Sequence, residues 1–409
     1  MQTLCVFTEN HFPGGGNRYL IDLVNGGSGQ FDRTVICSNT AALGDRDLAR
    51  LNRPASATYP AFFTLVAAQI RAGQLPLPWR HLALLPLILL EPVVFFVNLL
   101  VLHRLLGRVR PTLVLGANGG YPGAISVLSM VLAAKWSGIP AVLSVVSMPV
   151  RRRFNWSPFE RLVDWMIGKS ATRVVVNAEA IGRALAAKRG LPTALIRVIH
   201  NGLESDLSRP PSDAGRTSGP SLVIGCIARM DAEKGVLLLL EAFSRLAAEH
   251  PRARLVLAGD GNALAELKRR VAESGLTPRV SFLGHYDGNV NDLLAGFDVY
   301  AFPSLWEGFP YSIIEAMRAG CAIVSTNVGG IPEALEHGKH GLLVRPGSVD
   351  ELQSVLSRLL ADADLRADLG RAARERFEHQ LSLESMHRRV AGLFQELIAT
   401  ESNAGGGIR

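Results

Sequence analysis

At 409 residues the chain is longer than one ordinary hydrophobic core requires, so two domains are expected. A composition of 48% hydrophobic and 19% charged residues excludes a disordered protein, and four scattered cysteines, Cys5, Cys37, Cys226 and Cys321, exclude a disulfide scaffold or a clustered zinc site. The net charge of +7 hides an asymmetry, with residues 1–210 at +11 and the remainder at −4, so the first half favours an anionic partner such as a membrane surface. Nucleic acid is disfavoured, because Phe154, after Arg151, Arg152 and Arg153, is the one aromatic interleaved with a basic run.

The chain opens on Leu4–Phe7, an apolar run read as a buried strand; no charged segment followed by a longer apolar stretch marks a secretory leader, so a cytoplasmic location is expected. The loop Phe12–Pro13–Gly14–Gly15–Gly16–Asn17–Arg18 follows, ahead of an apolar-periodic helix from Tyr19 to Val24. Glycines let backbone approach a ligand, and a helix N-terminus favours negative charge, so Gly15 and Gly16 are candidate ligand contacts, with His11 beside them. Strands are predicted at Thr34–Cys37, Thr112–Leu115, Ala141–Val145, Arg173–Val176 and Leu195–Ile199. The glycine-rich loop after the second of these puts forward Asn118 and Tyr121, and the basic run puts forward Arg151.

Residues 82–102 depart from this alternation. They are apolar except for Pro86, Glu91, Pro92 and Asn98, and their length fits a membrane span. One span would place the first strand across the membrane from its own sheet, so buried or interfacial helices divided by the prolines are expected instead. Nearby Arg80, Arg104, Arg108 and Arg110 keep contact with an anionic membrane open.

A polar, Pro/Gly-rich linker at 210–220 separates the halves. After it, strands are predicted at Leu222–Ile227, Arg254–Ala258, Val280–Leu283, Val299–Phe302 and Ala322–Ser325, with helices at Val236–Glu249, Ala263–Ser274 and Tyr311–Ala319. Apolar strands alternating with amphipathic helices indicate parallel α/β domains, with ligands at the carboxyl ends of the strands. The expected division is residues 1–209, the linker, 221–382, a final helix over 383–401 crossing back to the first domain, and a frayed tail at 402–409.

The strongest chemical signal is Glu307–Gly308–Phe309–Pro310–Tyr311–Ser312–Ile313–Ile314–Glu315. Pro310 suits the first turn of a helix, which leaves Glu307 in the preceding loop and Glu315 within the helix. Carboxylates accept hydrogen bonds from sugar hydroxyls, and free helix-start N–H groups can meet an anion. Upstream, Arg229 and Lys234 follow a strand and precede a helix, where two cations can neutralise a pyrophosphate.

These segments resemble glycosyltransferase family 4: the E-x7-E signature with Pro303–Ser304 ahead of it, and Gly225–Gly235 as the family's strand, Arg and Lys-Gly stretch. Ile199–His200–Asn201–Gly202, Ala258–Gly259–Asp260–Gly261, Phe282–Leu283–Gly284–His285, Asn327–Glu333 and Gly341–Val344 resemble further family segments in the same order. The resemblance implies two facing Rossmann-like domains of the GT-B type and retaining transfer from a nucleotide-sugar donor, with no cofactor and no metal. It implies Arg229, Lys234 and Glu307 as catalytic, and Gly15, Gly16, Asn201, Gly259, Gly261, His285, Gly308, Phe309, Pro310 and Glu315 as donor-binding. His11, Asn118, Tyr121 and Arg151 become candidate acceptor contacts.

The expected acceptor is a saccharide or lipid-linked saccharide of the cell envelope, met at the inner face of the cytoplasmic membrane. A nucleotide-sugar epimerase or hydrolase, or a non-catalytic nucleotide-sugar-binding partner, are the alternatives. One departure stands out: many relatives carry a His after the strand Ala141–Val145, where this chain reads Ser147–Met148–Pro149. The pairs Asp45/Asp47 and Asp362/Asp364 match D-x-D but follow no apolar strand, and are read as solvated.

Overall fold

The computed structural model describes residues 1–9, 15–38, 48–58, 62–77, 79–153, 157–205 and 221–405. His11, the 210–220 linker, and Asp45 with Asp47 lie outside them. The chain divides into two units, Met1–His200 with Met386–Arg409, and Asn201–Ser385.

The first unit contains β1 (Thr3–Thr8), α1 (Gly15–Gly27), β2 (Arg33–Ser38), β3 (Ala55–Thr58), α2 (Val66–Gly73), α3 (Trp79–Val109) and β4 (Leu113–Asn118). It continues through α4 (Ile125–Trp136), β5 (Ala141–Val145), α5 (Ser157–Ser170), β6 (Arg173–Val176), α6 (Glu179–Arg189) and β7 (Ile196–Val198). Its strands form a seven-stranded parallel sheet in the order β3-β2-β1-β4-β5-β6-β7. Every residue of β1 and β5 is buried, as expected of strands covered on both faces, and this is why they read as unbroken apolar runs. β3 was not anticipated: Ala-Ser-Ala-Thr at the sheet edge is half-exposed and carries no apolar pattern, so its pairing with β2 makes it a strand.

Residues 82–102 do not split at their prolines. α3 is one helix of 31 residues with Pro86 and Pro92 inside it. Each proline removes one N–H donor, a local loss that the helix on either side of it survives. Nor is the helix buried. Within it only Glu91, Phe95, Asn98, Leu102 and Leu106 are buried, and its most apolar stretch is 17% buried. By length and composition α3 could cross a membrane.

The second unit holds β8 (Leu222–Ile227), α7 (Val236–Leu246), β9 (Ala253–Ala258), α8 (Leu264–Glu273), β10 (Val280–Gly284), α9 (Val290–Ala295) and β11 (Val299–Phe302). It ends with α10 (Tyr311–Arg318), β12 (Ala322–Thr326), α11 (Ile331–Ala334), β13 (Leu342–Val344), α12 (Val349–Ala361) and α13 (Ala363–Gln380). The six-stranded parallel sheet runs β10-β9-β8-β11-β12-β13 around a core that includes Leu239, Phe243, Leu255 and Leu356. Asp362 caps α13, its Oδ1 accepting from the Leu365 amide at 2.8 Å, so half of one D-x-D pair serves a helix start.

The units divide at His200, ahead of the expected boundary at 209, because the next residues are already tied to the second unit. The Leu203 amide donates to the Leu381 carbonyl at 3.0 Å, and the Leu383 amide donates back to Leu203 at 2.7 Å. The last helix, α14 (Leu383–Gly405), belongs to the first unit from Met386 onward. There Phe394 lies edge-on to Phe31 at 5.8 Å. The expected tail begins as helix: α14 continues through Ser402 to Gly405, since extending an existing helix costs far less than starting one.

Candidate functional site

Parallel strands send all their following loops to one edge of a sheet, and in the second unit four such loops interlock there. The loop after β8 runs from Arg229 to Gly235; the loops after β9, β11 and β12 meet it or each other. The Met230 amide donates to the Asp260 carbonyl at 2.9 Å, and the Asn262 amide donates to Asp231 Oδ1 at 3.1 Å. The Leu305 amide donates to the Glu233 carbonyl at 2.8 Å, which ties the β11 loop to the β8 loop. The Gly330 amide then donates to the Gly308 carbonyl at 2.7 Å.

These approaches dictate two of the glycines. At Gly259, φ is +136° and a Cβ would stand 1.8 Å from the Ala228 carbonyl oxygen. At Gly329, φ is +54° and a Cβ would stand 2.0 Å from the Glu307 carbonyl oxygen. Gly261 similarly lies against Met230. Gly259 and Gly261 thus have a structural reason to be glycine, whatever they bind.

The interlocked loops bring Lys234 and Glu307 together: Lys234 Nζ lies 2.7 Å from Glu307 Oε1, with the side chains 17% and 10% exposed. A cation and a carboxylate, 73 positions apart in the chain, are desolvated enough to be firm and open enough to reach a ligand. Glu307 is followed by Gly308, buried Phe309 and Pro310, which is the N-cap of α10. Asn201 is anchored to this segment, its Nδ2 donating to the Phe309 carbonyl at 2.6 Å. Glu315 sits half-buried on α10, close enough that its charge helps push the Tyr300 phenol up, after burial as the larger cause.

Arg229 is less integrated. It is 66% exposed and pairs along its own loop with Asp231 at 2.6 Å and Glu233 at 2.7 Å. His285, after β10, is 80% exposed beside Asp287 at 3.3 Å. Buried hydroxyls hold the loops: Ser304 Oγ, from the Pro-Ser ahead of the E-x7-E segment, donates to the Glu233 carbonyl at 3.3 Å, and Thr326, which the sequence did not single out, donates to the Ser304 carbonyl. A polar residue closing an apolar strand was the available signal for Thr326.

In the first unit, Gly15 and Gly16 open α1. A Cβ at Gly16 would meet Val146 at 3.7 Å, an ordinary contact, so internal packing gives no reason for a glycine there. The acceptor candidates fare differently. Tyr121 is 1% exposed and donates to Asp164 Oδ1 at 2.9 Å; it is a core residue and not an open contact. Asn118 is also buried, donating to the Pro122 carbonyl at 2.6 Å and accepting from the Ala124 amide at 3.1 Å, so it braces its own loop. Both corrections arise because polar side chains in a folded loop satisfy their neighbours first.

The basic run divides. Arg151 is exposed, whereas Arg152 pairs with Asp164 at 2.8 Å and Arg153 pairs with Glu160 at 2.8 Å and with Glu91. Behind them Arg189, with no exposed side-chain surface, binds Glu160 at 2.9 Å and Asp164 at 3.1 Å. The sequence hint to this buried network was Glu91, a lone acid in an apolar run.

Two family models match the chain: Glycosyltransferase Family 4 over residues 13–207 and Glycosyl transferases group 1 over residues 213–376. The D-inositol 3-phosphate glycosyltransferase of Corynebacterium jeikeium is 31% identical over 58% of this chain and 60% of its own length. The phosphatidylinositol N-acetylglucosaminyltransferase gpi3 subunit of Schizosaccharomyces pombe is 30% identical over 50% of this chain and 42% of its own. The matched segments thus span only about half the length of these relatives. Among solved structures, Anabaena HepE in complex with UDP superposes with a TM-score of 0.75 at 21% identity, covering 97% of this chain and all of that one. This last likeness is one of fold.

Proposed function

We propose, since this chain belongs to the group 1 glycosyl transferases of glycosyltransferase family 4 with the GT-B type of fold, that it moves a sugar from a nucleotide-sugar donor to an acceptor with retention of configuration. The observation that carries the proposal is the Lys234–Glu307 contact at 2.7 Å, made where four loops converge at the carboxyl edge of the second sheet.

Breaking the bond from anomeric carbon to phosphate builds positive charge on the sugar and negative charge on the departing phosphate. Lys234, fixed by Glu307, supplies a preorganised cation for that phosphate, and Arg229 swings from Asp231 and Glu233 to supply a second. Glu307 orients the sugar hydroxyls while holding Lys234, and Glu315 receives the ribose hydroxyls. Phosphate charge is thereby assigned to side chains in place of a metal or cofactor, and the departing phosphate takes the acceptor proton, so no general base is assigned.

Gly15 and Gly16 open α1, where helix-start amides suit an anion. His285 and the Gly308–Pro310 segment frame the nucleotide. Similarity to the HepE complexes, whose ligands are UDP and UDP-glucose, supports a uridine donor class. The acceptor is a lipid-linked or cell-envelope saccharide met at the cytoplasmic face of the membrane, supported by the basic first half. Thermal-shift screening of nucleotide sugars followed by transfer to membrane extracts tests this reading. Stabilisation by one donor together with acceptor-dependent release of nucleotide is expected. Nucleotide release without acceptor would replace transfer by hydrolysis, and conversion of the donor to an epimeric nucleotide sugar would replace it by epimerisation.

A further inference from the structure

α3 is built inside out. Its buried side carries Glu91 and Asn98 beside Phe95 and Leu102, while Leu82, Leu85, Leu89, Val93, Phe96 and Leu100 are each 44–64% exposed. Those six recur every three or four residues and make one continuous stripe, about 27 Å long at the usual helical rise. Water-facing helix surfaces ordinarily have the opposite polarity, and exposed apolar area of this extent marks an interaction site.

Charge identifies the partner. Residues 61–170 contain eleven Lys and Arg but three acids, Glu91, Glu160 and Asp164. All three acids are buried in ion pairs with arginines, so this stretch offers solvent no carboxylate. Its cations are outside: Arg80, Arg104, Arg108, Lys135, Arg161 and Lys169 are exposed. Arg80 and Arg104 flank the two ends of the apolar stripe. The neighbouring helices α4 and α5, which meet α3 through Ser129 and Phe159 at Phe95, expose Trp136 and Trp165, and Trp79 is exposed at the start of α3. Tryptophan and arginine around an apolar band are the composition of a bilayer interface.

We propose that α3 docks the first unit onto an anionic lipid bilayer, lying in the plane of one leaflet with the stripe from Leu82 to Leu100 among the acyl chains and the flanking arginines at the headgroups. A transmembrane orientation is opposed by the inner side of the helix. The Asn98 amide grips the Phe63 backbone at 2.9 and 2.8 Å, and Glu91 is held by Arg153 and by Gln69 at 2.8 Å. A second copy docked through the same face would bring like charges together with no carboxylate to meet them, and a nucleic acid would leave the stripe in water. The inference goes beyond the sugar-transfer reading and does not depend on it.

Co-sedimentation of the full chain with vesicles tests it, using phosphatidylcholine alone or mixed with one third phosphatidylglycerol. Binding to the anionic vesicles is expected, reduced but not abolished by high salt. The triple variant Leu85→Glu, Leu89→Glu, Phe96→Glu lowers it at least about ten-fold, whereas Leu283→Glu, an exposed apolar site in the second unit, leaves it unchanged. Bromine-labelled acyl chains should also quench tryptophan emission of the unsubstituted chain, a measurement free of any folding effect. Absence of binding or quenching overturns the proposal. So does a triple variant that binds like the unsubstituted chain, or one whose only change is the loss of a dimer in ultracentrifugation.

Discussion

Two ionic clusters of similar chemistry occupy different environments in the two units. Lys234 and Glu307 meet at 2.7 Å with part of each side chain open to solvent. Arg189 meets Glu160 at 2.9 Å and Asp164 at 3.1 Å, with its own side chain fully enclosed and theirs 5% and 3% exposed. Enclosure leaves the second cluster no surface for a ligand, so its charges answer one another and pin α5 to α6. The first holds two groups in place while leaving them reachable. Burial, not residue type, separates an ionic strut from a pair that a ligand can reach.

The contrast yields graded expectations. Arg189→Ala takes the enclosed cation from two buried carboxylates, which keep only the partly exposed Arg152 and Arg153, and should cost about 3 kcal/mol of stability, read by urea unfolding. Should stability barely change, the cluster is not the sealed strut described. Lys234→Ala should lower turnover of a nucleotide sugar about 100- to 1000-fold, roughly 3–4 kcal/mol, while the chain still folds, as circular dichroism would show. Arg229→Ala should follow in the same direction; near-normal transfer by both variants would sink their assigned roles.

A smaller effect is expected from Gly329→Ala. It forces a side chain into a left-handed backbone against the Glu307 carbonyl, at a cost of roughly 1–3 kcal/mol and with weakened donor binding by calorimetry. The smallest concerns pH. Burial holds the His340 and His387 imidazoles below their ordinary 6.5, with Arg376 and Lys339 adding to the effect at His340. Both are harder to protonate folded than unfolded, so the unfolded chain takes up protons first. Stability is therefore unaffected above pH 6.5 and lost as pH falls below it. Urea midpoints at pH 7.5 and 5.5 check the sign, and His340→Gln should remove part of the slope.

Much of this fold is legible in the sequence alone. Ala141–Val145 and Val299–Phe302 are strands with the bounds expected of them, because strands buried on both faces announce themselves as apolar runs. The positions of Glu307 before α10 and of Lys234 before α7 also follow from local turn and helix signals. Tyr121 and Asn118 misled because a glycine-rich loop looks the same whether its polar groups face solvent or each other. β3 was invisible, since an edge strand without an apolar pattern exists through its neighbour.

Local pattern was thus enough to establish two parallel α/β domains, their loop-bearing edges and the residue types able to handle a phosphate and a sugar. Which charges remain open, which lock together inside, and which side of α3 faces water depend on residues tens of positions apart, such as Glu91 with Arg153 and Lys234 with Glu307. Periodicity reports what a residue's near neighbours impose, whereas desolvation and ion pairing are properties of the packed chain.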